Sequence, residues 1–342
     1  MFDSESTTQQ QFPAERDCLI PLGADLLAEC WERSRETLQK LKEVLSPETL
    51  PDGIETIYIC GSLGRMEQIP SSDCDLVIVV SDEIVTNPET PQLLYCEIWE
   101  RLETLGMIRP KPDGIFSETV TWKQLVDVSH RGQVDEDQFV YGKRIQLLLD
   151  SQPITHPQRF RQLQGEVLER FQRPADGPEK QWLALLNEVI RYWKALRTRT
   201  LWLDDVSLGN WRYLNIKFQH SRNLLIFGML LAVGEASRQP EKKSHLWLTH
   251  RLSFTPLERI YESTESSKRE QLLINYALFL EKMSNSKLVE NLKSEEFAER
   301  ESSEYEALMK NGTQFVDCLL EILQTSAENW PMEIRRELLL GP

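Results

Sequence analysis

The stretch Ile57–Val80, IYICGSLGRMEQIPSSDCDLVIVV, decides the fold of this chain. Two apolar runs, Ile57–Cys60 and Leu76–Val80, bracket a polar connection that opens on Gly61-Ser62 and closes on Asp73-x-Asp75. Side chains along a strand repeat with period two, so Asp73 and Asp75 at the head of the second run point the same way and can share a divalent cation. The Gly-Ser turn offers backbone N–H groups and a hydroxyl where phosphate oxygens can approach closely. A carboxylate such as Asp75 inside an apolar strand is costly unless something compensates it, so stability alone does not account for its place there. Together these features predict a metal-dependent phosphoryl-transfer site.

The pattern Gly61-Ser62, Arg65, Glu67, Ser72-Asp73-x-Asp75-Leu76 resembles the signature of the nucleotidyltransferase superfamily that includes DNA polymerase beta. With its Arg-x-Glu insertion it is most similar to the protein uridylyltransferases and adenylyltransferases of nitrogen signalling and to the CBS-associated nucleotidyltransferases. The short antitoxin-type enzymes share its Gly-Ser and Asp-x-Asp elements. The resemblance implies an α+β fold, a small mixed nucleotidyltransferase sheet flanked by helices and followed by an all-helical domain. It implies that Asp73 and Asp75 hold Mg2+ (or Mn2+) against a nucleoside triphosphate, and that Gly61 and Ser62 cradle the β and γ phosphates. By the same resemblance Arg65 reaches those oxygens, Glu67 orients Arg65 or joins the metal sphere, and Ser72 lies in the nucleotide site. The superfamily normally supplies a third carboxylate from a further strand, expected here between Gly106 and Ile154. Asp113, Glu118 and Asp150 are the candidates. Asp150 comes first, as a catalytic acid, because RIQLLLDSQPI is similar to a segment of the CBS-associated enzymes in which an apolar triplet ends in an acid. Its other reading is a cap on the next turn.

A chain of 342 residues is long enough for two domains. We read residues 1–17 as a mobile N-terminal segment, 18–155 as the nucleotidyltransferase catalytic domain, and 156–342 as a helical substrate-binding or accessory domain. Asp25–Leu45 carries apolar residues near helical period, and Pro91–Leu105 does the same before Gly106. Ile54–Cys60 and Leu76–Val80 read as strands buried on both faces. Beyond the break Arg173–Pro178 the pattern is helical, with apolar stripes from Trp182 to Leu196 and from Tyr305 to Leu323. The segment Ser284–Glu304 reads as a solvated helix face or loop. Within Asn210–Asn223, Arg212, Lys217, His220 and Arg222 interleave with Trp211, Tyr213 and Phe218. Arg212 and Lys217 are candidates to grip a triphosphate, against the alternative of long basic side chains covering a core.

The net charge of −15 argues against a general nucleic-acid binder, which needs a basic surface to neutralise phosphates. No apolar run reaches the roughly 18 residues of a membrane span. The opening MFDSESTTQQQF has neither the basic nor the apolar region of a secretory signal, and the expected location is the cytoplasm. Six cysteines without a C-x-x-C pair read as small core residues, and the five histidines and absent thiolate cluster make a zinc site an unattractive reading. Oxygen ligands favour magnesium or manganese.

The expected activity is transfer of a nucleoside monophosphate, AMP or UMP, from its triphosphate to a hydroxyl of a protein or small molecule, with release of pyrophosphate. The alternative is a degenerate nucleotidyltransferase fold that binds nucleotide, or a partner, and regulates without turnover. An antitoxin-like modifier is a third reading, which the large helical domain disfavours. The acceptor and the preferred base stay open.

Overall fold

A computed structural model describes residues 25–70, 72–87, 89–110, 112, 114–172, 177, 180–202, 207–294, 296 and 303–340. The segment expected to be a mobile N-terminus and the candidate acid Asp113 lie outside the described residues, as does Cys18.

Helix α1 (Asp25–Val44) precedes strand β1 (Ile54–Cys60), a one-turn helix α2 (Gly61–Gly64) and strand β2 (Asp75–Val80). Helix α3 (Thr90–Glu103) leads to the two-residue strand β3 (Val120–Thr121), followed by α4 (Trp122–Val126), α5 (Gln138–Leu149), β4 (Gln152–Pro153) and α6 (Pro157–Phe171). The sheet order is β3-β2-β1-β4. β1 runs antiparallel to both β2 and β4, and β2 runs parallel to β3, so the sheet is mixed. β1 is buried from Ile57 to Cys60 and β2 from Leu76 to Val80, which is why both lack the alternation of a half-exposed strand.

The chain divides into two compact units. One comprises Trp31–Gln68 and Ser72–Gln172; the other comprises the described residues within Met1–Cys30, Ile69–Ser71 and Arg173–Pro342. Helix α6 therefore belongs with the sheet, where Phe160 packs its ring 5.7 Å from that of Tyr58 on β1.

The apolar triplet Leu147-Leu148-Leu149 is not strand. It forms the buried last turn of α5, and Asp150 is the residue that ends that helix. A short apolar run is consistent with either element, and here the helix that begins at Gln138, capped by the Asp137 side chain on the Phe139 and Val140 N–H groups, carries through it.

Beyond Gln172 the described part of the second unit consists of helices and the turns that join them. It contains α7 (Leu183–Leu201), α8 (Leu208–Lys217), a π-helical turn (Phe218–Arg222), α9 (Asn223–Ala236), α10 (Glu241–Leu252), α11 (Pro256–Glu262), α12 (Ser266–Met283), α13 (Ser286–Lys293), α14 (Ser303–Ala327) and α15 (Met332–Leu340). The α9 helix is buried on nearly every side, as its uniformly apolar sequence requires. The segment expected as a solvated face or loop holds α13, whose Leu288, Val289 and Leu292 are buried, so it is amphipathic and packed on one side. No helix among the described residues is long and apolar enough to cross a membrane.

Candidate active site

The site forms where β1 leaves the sheet. Cys60 pairs with Asp75 at the last rung of the β1–β2 ladder, so the turn that follows Cys60 stands over the first residue of β2. Gly61 enters that turn at φ +70, a left-handed conformation that glycine adopts without steric cost. A β-carbon built there would overlap Asp75 Oδ2 and lie 3.2 Å from Asp75 Cγ. Gly64 is required for a different reason: a β-carbon at this position would overlap the Asp150 carbonyl oxygen and stand 2.9 Å from that of Ile59.

The turn closes as a Schellman motif. Glu67 N–H donates to Ser62 O (2.7 Å) and Met66 N–H to Leu63 O (3.1 Å), with Met66 at φ +62. A non-glycine residue in that region is strained by roughly 1 kcal/mol or more. In return the chain reverses so that Glu67 folds back onto Arg65. Gln68 is then tied to α1: its N–H donates to Ser34 Oγ (3.0 Å), its carbonyl accepts from Arg33 Nη1 (3.0 Å), and its side chain accepts from Thr37 Oγ1 (2.6 Å).

Arg65 is held between two acids. Its Nε donates to Glu67 Oε2 (2.9 Å) and its Nη1 to Asp150 Oδ2 (2.8 Å). The side chains of Asp150 and Glu67 are only 1% and 4% exposed, and that of Arg65 11%. Asp150 Oδ2 also accepts the Gly61 N–H at 3.1 Å. The Gly61 N–H expected for a phosphate is therefore committed to Asp150, because the end of α5 brings that carboxylate against the inner side of the turn. Ser62 Oγ, by contrast, is buried with no hydrogen-bond partner among the described residues.

Asp73 is exposed and Asp75 half-buried at the head of β2, with Ser72 half-buried before them. Their charges are felt by the thiols beside them. Burial pushes the Cys74 thiol up to about 12, with Asp75 and then Asp73 adding to the shift. Burial also pushes the Cys60 thiol well up; Asp150 and Asp75 reinforce it and Arg65 opposes it. Neither cysteine is a thiolate nucleophile in this setting.

Of the other third-acid candidates, Glu118 is exposed two residues before β3 and pairs with Lys143 Nζ at 3.6 Å. Lys143 is buried on α5, and desolvation lowers its pKa. Among the described residues no group of three His, Cys, Asp or Glu side chains is arranged to hold a metal ion.

Gly61, Ser62, Arg65, Glu67, Ser72, Asp73, Asp75 and Asp150 thus fall in one unit. Arg212 and Lys217 fall in the other, where the Arg212 guanidinium lies 4.8 Å from the Tyr305 ring centre and Lys217 Nζ 5.3 Å from that of Tyr213. His220, which lies with them in the basic stretch Asn210–Asn223, is set apart by its burial. It is fully enclosed, stacked 4.3 Å from the Phe279 ring, and burial lowers its pKa.

Residues 24–129 match the family model described as Putative nucleotidyltransferase DUF294. The match supports assigning that region, which carries β1, the Gly-Ser turn, β2 and β3, to the nucleotidyltransferase superfamily. No curated protein matches the chain.

Proposed function

We propose that this chain transfers a nucleoside monophosphate, AMP or UMP, from a nucleoside triphosphate to a hydroxyl of a protein or small molecule. The acceptor oxygen bonds to the α-phosphorus, the bond from that phosphorus to the oxygen bridging to the β-phosphorus breaks, and pyrophosphate leaves. The observation that carries this reading is the turn itself. Gly61 leaves its α-carbon bare against Asp75, and the adjacent Ser62 hydroxyl is buried without a partner among the described residues, a state that costs free energy unless a ligand oxygen completes it.

The acids at the head of β2 fit a hard divalent cation. Mg2+ is commonly held by one or two carboxylates together with substrate phosphates, and a pair of oxygen donors is what Asp73 and Asp75 supply. When bound, the cation would neutralise charge developing on the α-phosphoryl group and on the departing pyrophosphate. Asp73 and Asp75 would hold the cation, and the Ser62 hydroxyl would donate to a phosphate oxygen.

A second reading is favoured by one observation. Asp150 is taken up by Arg65 and Gly61, and no three-acid cluster stands among the described residues. A nucleotide-binding regulator with little or no turnover fits that arrangement.

The test is to incubate the full chain and its D73N/D75N double variant with each labelled NTP and Mg2+ or Mn2+. Self-labelling, pyrophosphate release and binding heat are then followed. Metal-dependent transfer or pyrophosphate release that the double variant loses supports the enzyme; nucleotide binding with no turnover on any acceptor supports the regulator; no nucleotide binding overturns both.

A further inference from the structure

We propose that Asp150 is the positioning residue of the nucleotide site: its carboxylate holds Gly61 and Arg65 from behind the turn, and it does not coordinate the metal. This rests on the nucleotide-site reading above and assigns the third acid a different task within it.

The partners of the carboxylate decide between the two tasks. Asp73 is exposed and Asp75 half-buried at the head of β2. The Asp150 side chain is 1% exposed, and its Oδ2 already receives two donors, Gly61 N–H and Arg65 Nη1. Gly61 is therefore held between two carboxylates. Asp150 accepts its N–H, while Asp75 stands where its β-carbon would be.

Asp150 is itself fixed by the sheet. Its N–H closes the last turn of α5 on Gln146 O (3.2 Å). Two residues on, Gln152 and Pro153 pair with Ile59 and Tyr58 of β1, the strand that delivers the turn. Thr155 completes the stitch, its carbonyl accepting from Thr56 Oγ1 (2.8 Å) and its Oγ1 accepting from Ile57 N–H (2.9 Å). The carboxylate and the turn are thus anchored by two paired strands, β4 and β1, which is what a preorganised binding turn needs. Arg65, shared with Glu67 on its other side, offsets part of the negative charge that Asp150 brings near the phosphates.

The experiment uses the full-length chain and two probes: Mn2+ alone, followed by its paramagnetic resonance signal, and non-hydrolysable ATP and UTP analogues with Mn2+, followed by calorimetry. The D150N substitution replaces the carboxylate with a neutral amide, which weakens the hold on the Arg65 guanidinium and can turn an N–H donor toward the Gly61 N–H. D150N is therefore expected to bind Mn2+ like wild type and to bind the preferred analogue about tenfold more weakly. D75N is expected to lose Mn2+ binding itself. E67Q, at the other carboxylate that holds Arg65, is expected to fall between wild type and D150N in analogue affinity. The proposal is overturned if D150N loses Mn2+ binding as D75N does, or if it binds the analogue as tightly as wild type. A wild-type chain that binds Mn2+ but neither analogue overturns the nucleotide-site reading itself, an outcome read before any variant is compared. If D150N does not fold, D150E keeps the charge but displaces the carboxylate by one methylene; the same split between metal and analogue binding is expected of it, and its absence overturns the proposal.

Discussion

Gly61, the residue that follows the last rung of the β1–β2 ladder, lies so close to Asp75 that a β-carbon on it would overlap Asp75 Oδ2. Asp75 can occupy that place only because residue 61 has no side chain. The G61A substitution meets two separate costs, the clash with Asp75 and the left-handed backbone at φ +70, which disfavours an L-residue by roughly 1–2 kcal/mol. We expect G61A to lower the unfolding free energy by about 1–3 kcal/mol in urea titration and to weaken Mn2+ binding, because the displaced group is the carboxylate assigned to the metal. A variant with wild-type stability and wild-type Mn2+ affinity would show that Asp75 does not depend on the bare turn.

A second buried ion cluster lies away from the turn. Glu136 Oε1 accepts from Arg144 Nη1 and from Arg170 Nη2, while Arg144 also donates to the Gln124 and Leu125 carbonyls and Arg170 to that of Asp127. The two arginines satisfy the carboxyl end of α4, and Glu136 is the charge that lets them sit together. Removing one partner of a buried cluster leaves the others uncompensated, so E136A is expected to cost about 3–5 kcal/mol in urea unfolding. Nucleotide binding by the fraction that stays folded should be unaltered, since none of these groups touches Gly61, Ser62 or Asp75 in the described contacts.

How much of this was legible beforehand follows from which interactions are local. β1, β2 and the turn between them could be read because the apolar runs, the Gly-Ser pair and the alternating acids lie within one stretch of chain. The helices α1 and α3 were legible from their period. Asp150 stands out only through the resemblance of RIQLLLDSQPI to the CBS-associated enzymes, and its element does not, because Leu147–Leu149 suits a strand as well as a helix and only the capped start at Asp137 decides. Its hold on Arg65 spans 85 positions, and nothing in either local sequence announces it. β3 and β4 are two residues each, too short to carry a period. The basic neighbours of His220 do not reveal its burial; the π-helical turn at Phe218–Arg222 places it among Phe279, Phe315 and Asn311.

That burial gives His220 a pH signature. Desolvation lowers its pKa, and the hydrogen bonds to Ile216 O and Asn311 only partly oppose this. A histidine whose folded pKa lies below its unfolded value of about 6.5 contributes stability that is fully present above that value. As pH falls below it, the unfolded chain takes up a proton that the folded chain refuses, and stability falls by up to about 1.4 kcal/mol per pH unit until the folded pKa is reached. His250, lowered first by burial and then by Arg251, adds in the same direction. Thermal melts between pH 8 and pH 5 should show the midpoint falling below pH 6.5, with a shallower fall in H220N. An equal slope in both proteins would mean that His220 is not the group being titrated.

Ser62 separates stability from function most cleanly. Its Oγ is buried and has no hydrogen-bond partner among the described residues, while its backbone carbonyl accepts the Glu67 N–H that closes the turn. S62A keeps that carbonyl and removes only the unsatisfied hydroxyl, so the folded protein should gain or be unchanged by up to about 1 kcal/mol in thermal or urea unfolding. If the hydroxyl exists to meet a phosphate oxygen, the same substitution should weaken nucleotide-analogue binding by about tenfold, since one hydrogen bond to a charged acceptor is lost. Opposite signs in the two measurements mark a group kept for a ligand at the expense of the fold. A loss of stability with unchanged analogue affinity would instead show that the hydroxyl serves the turn.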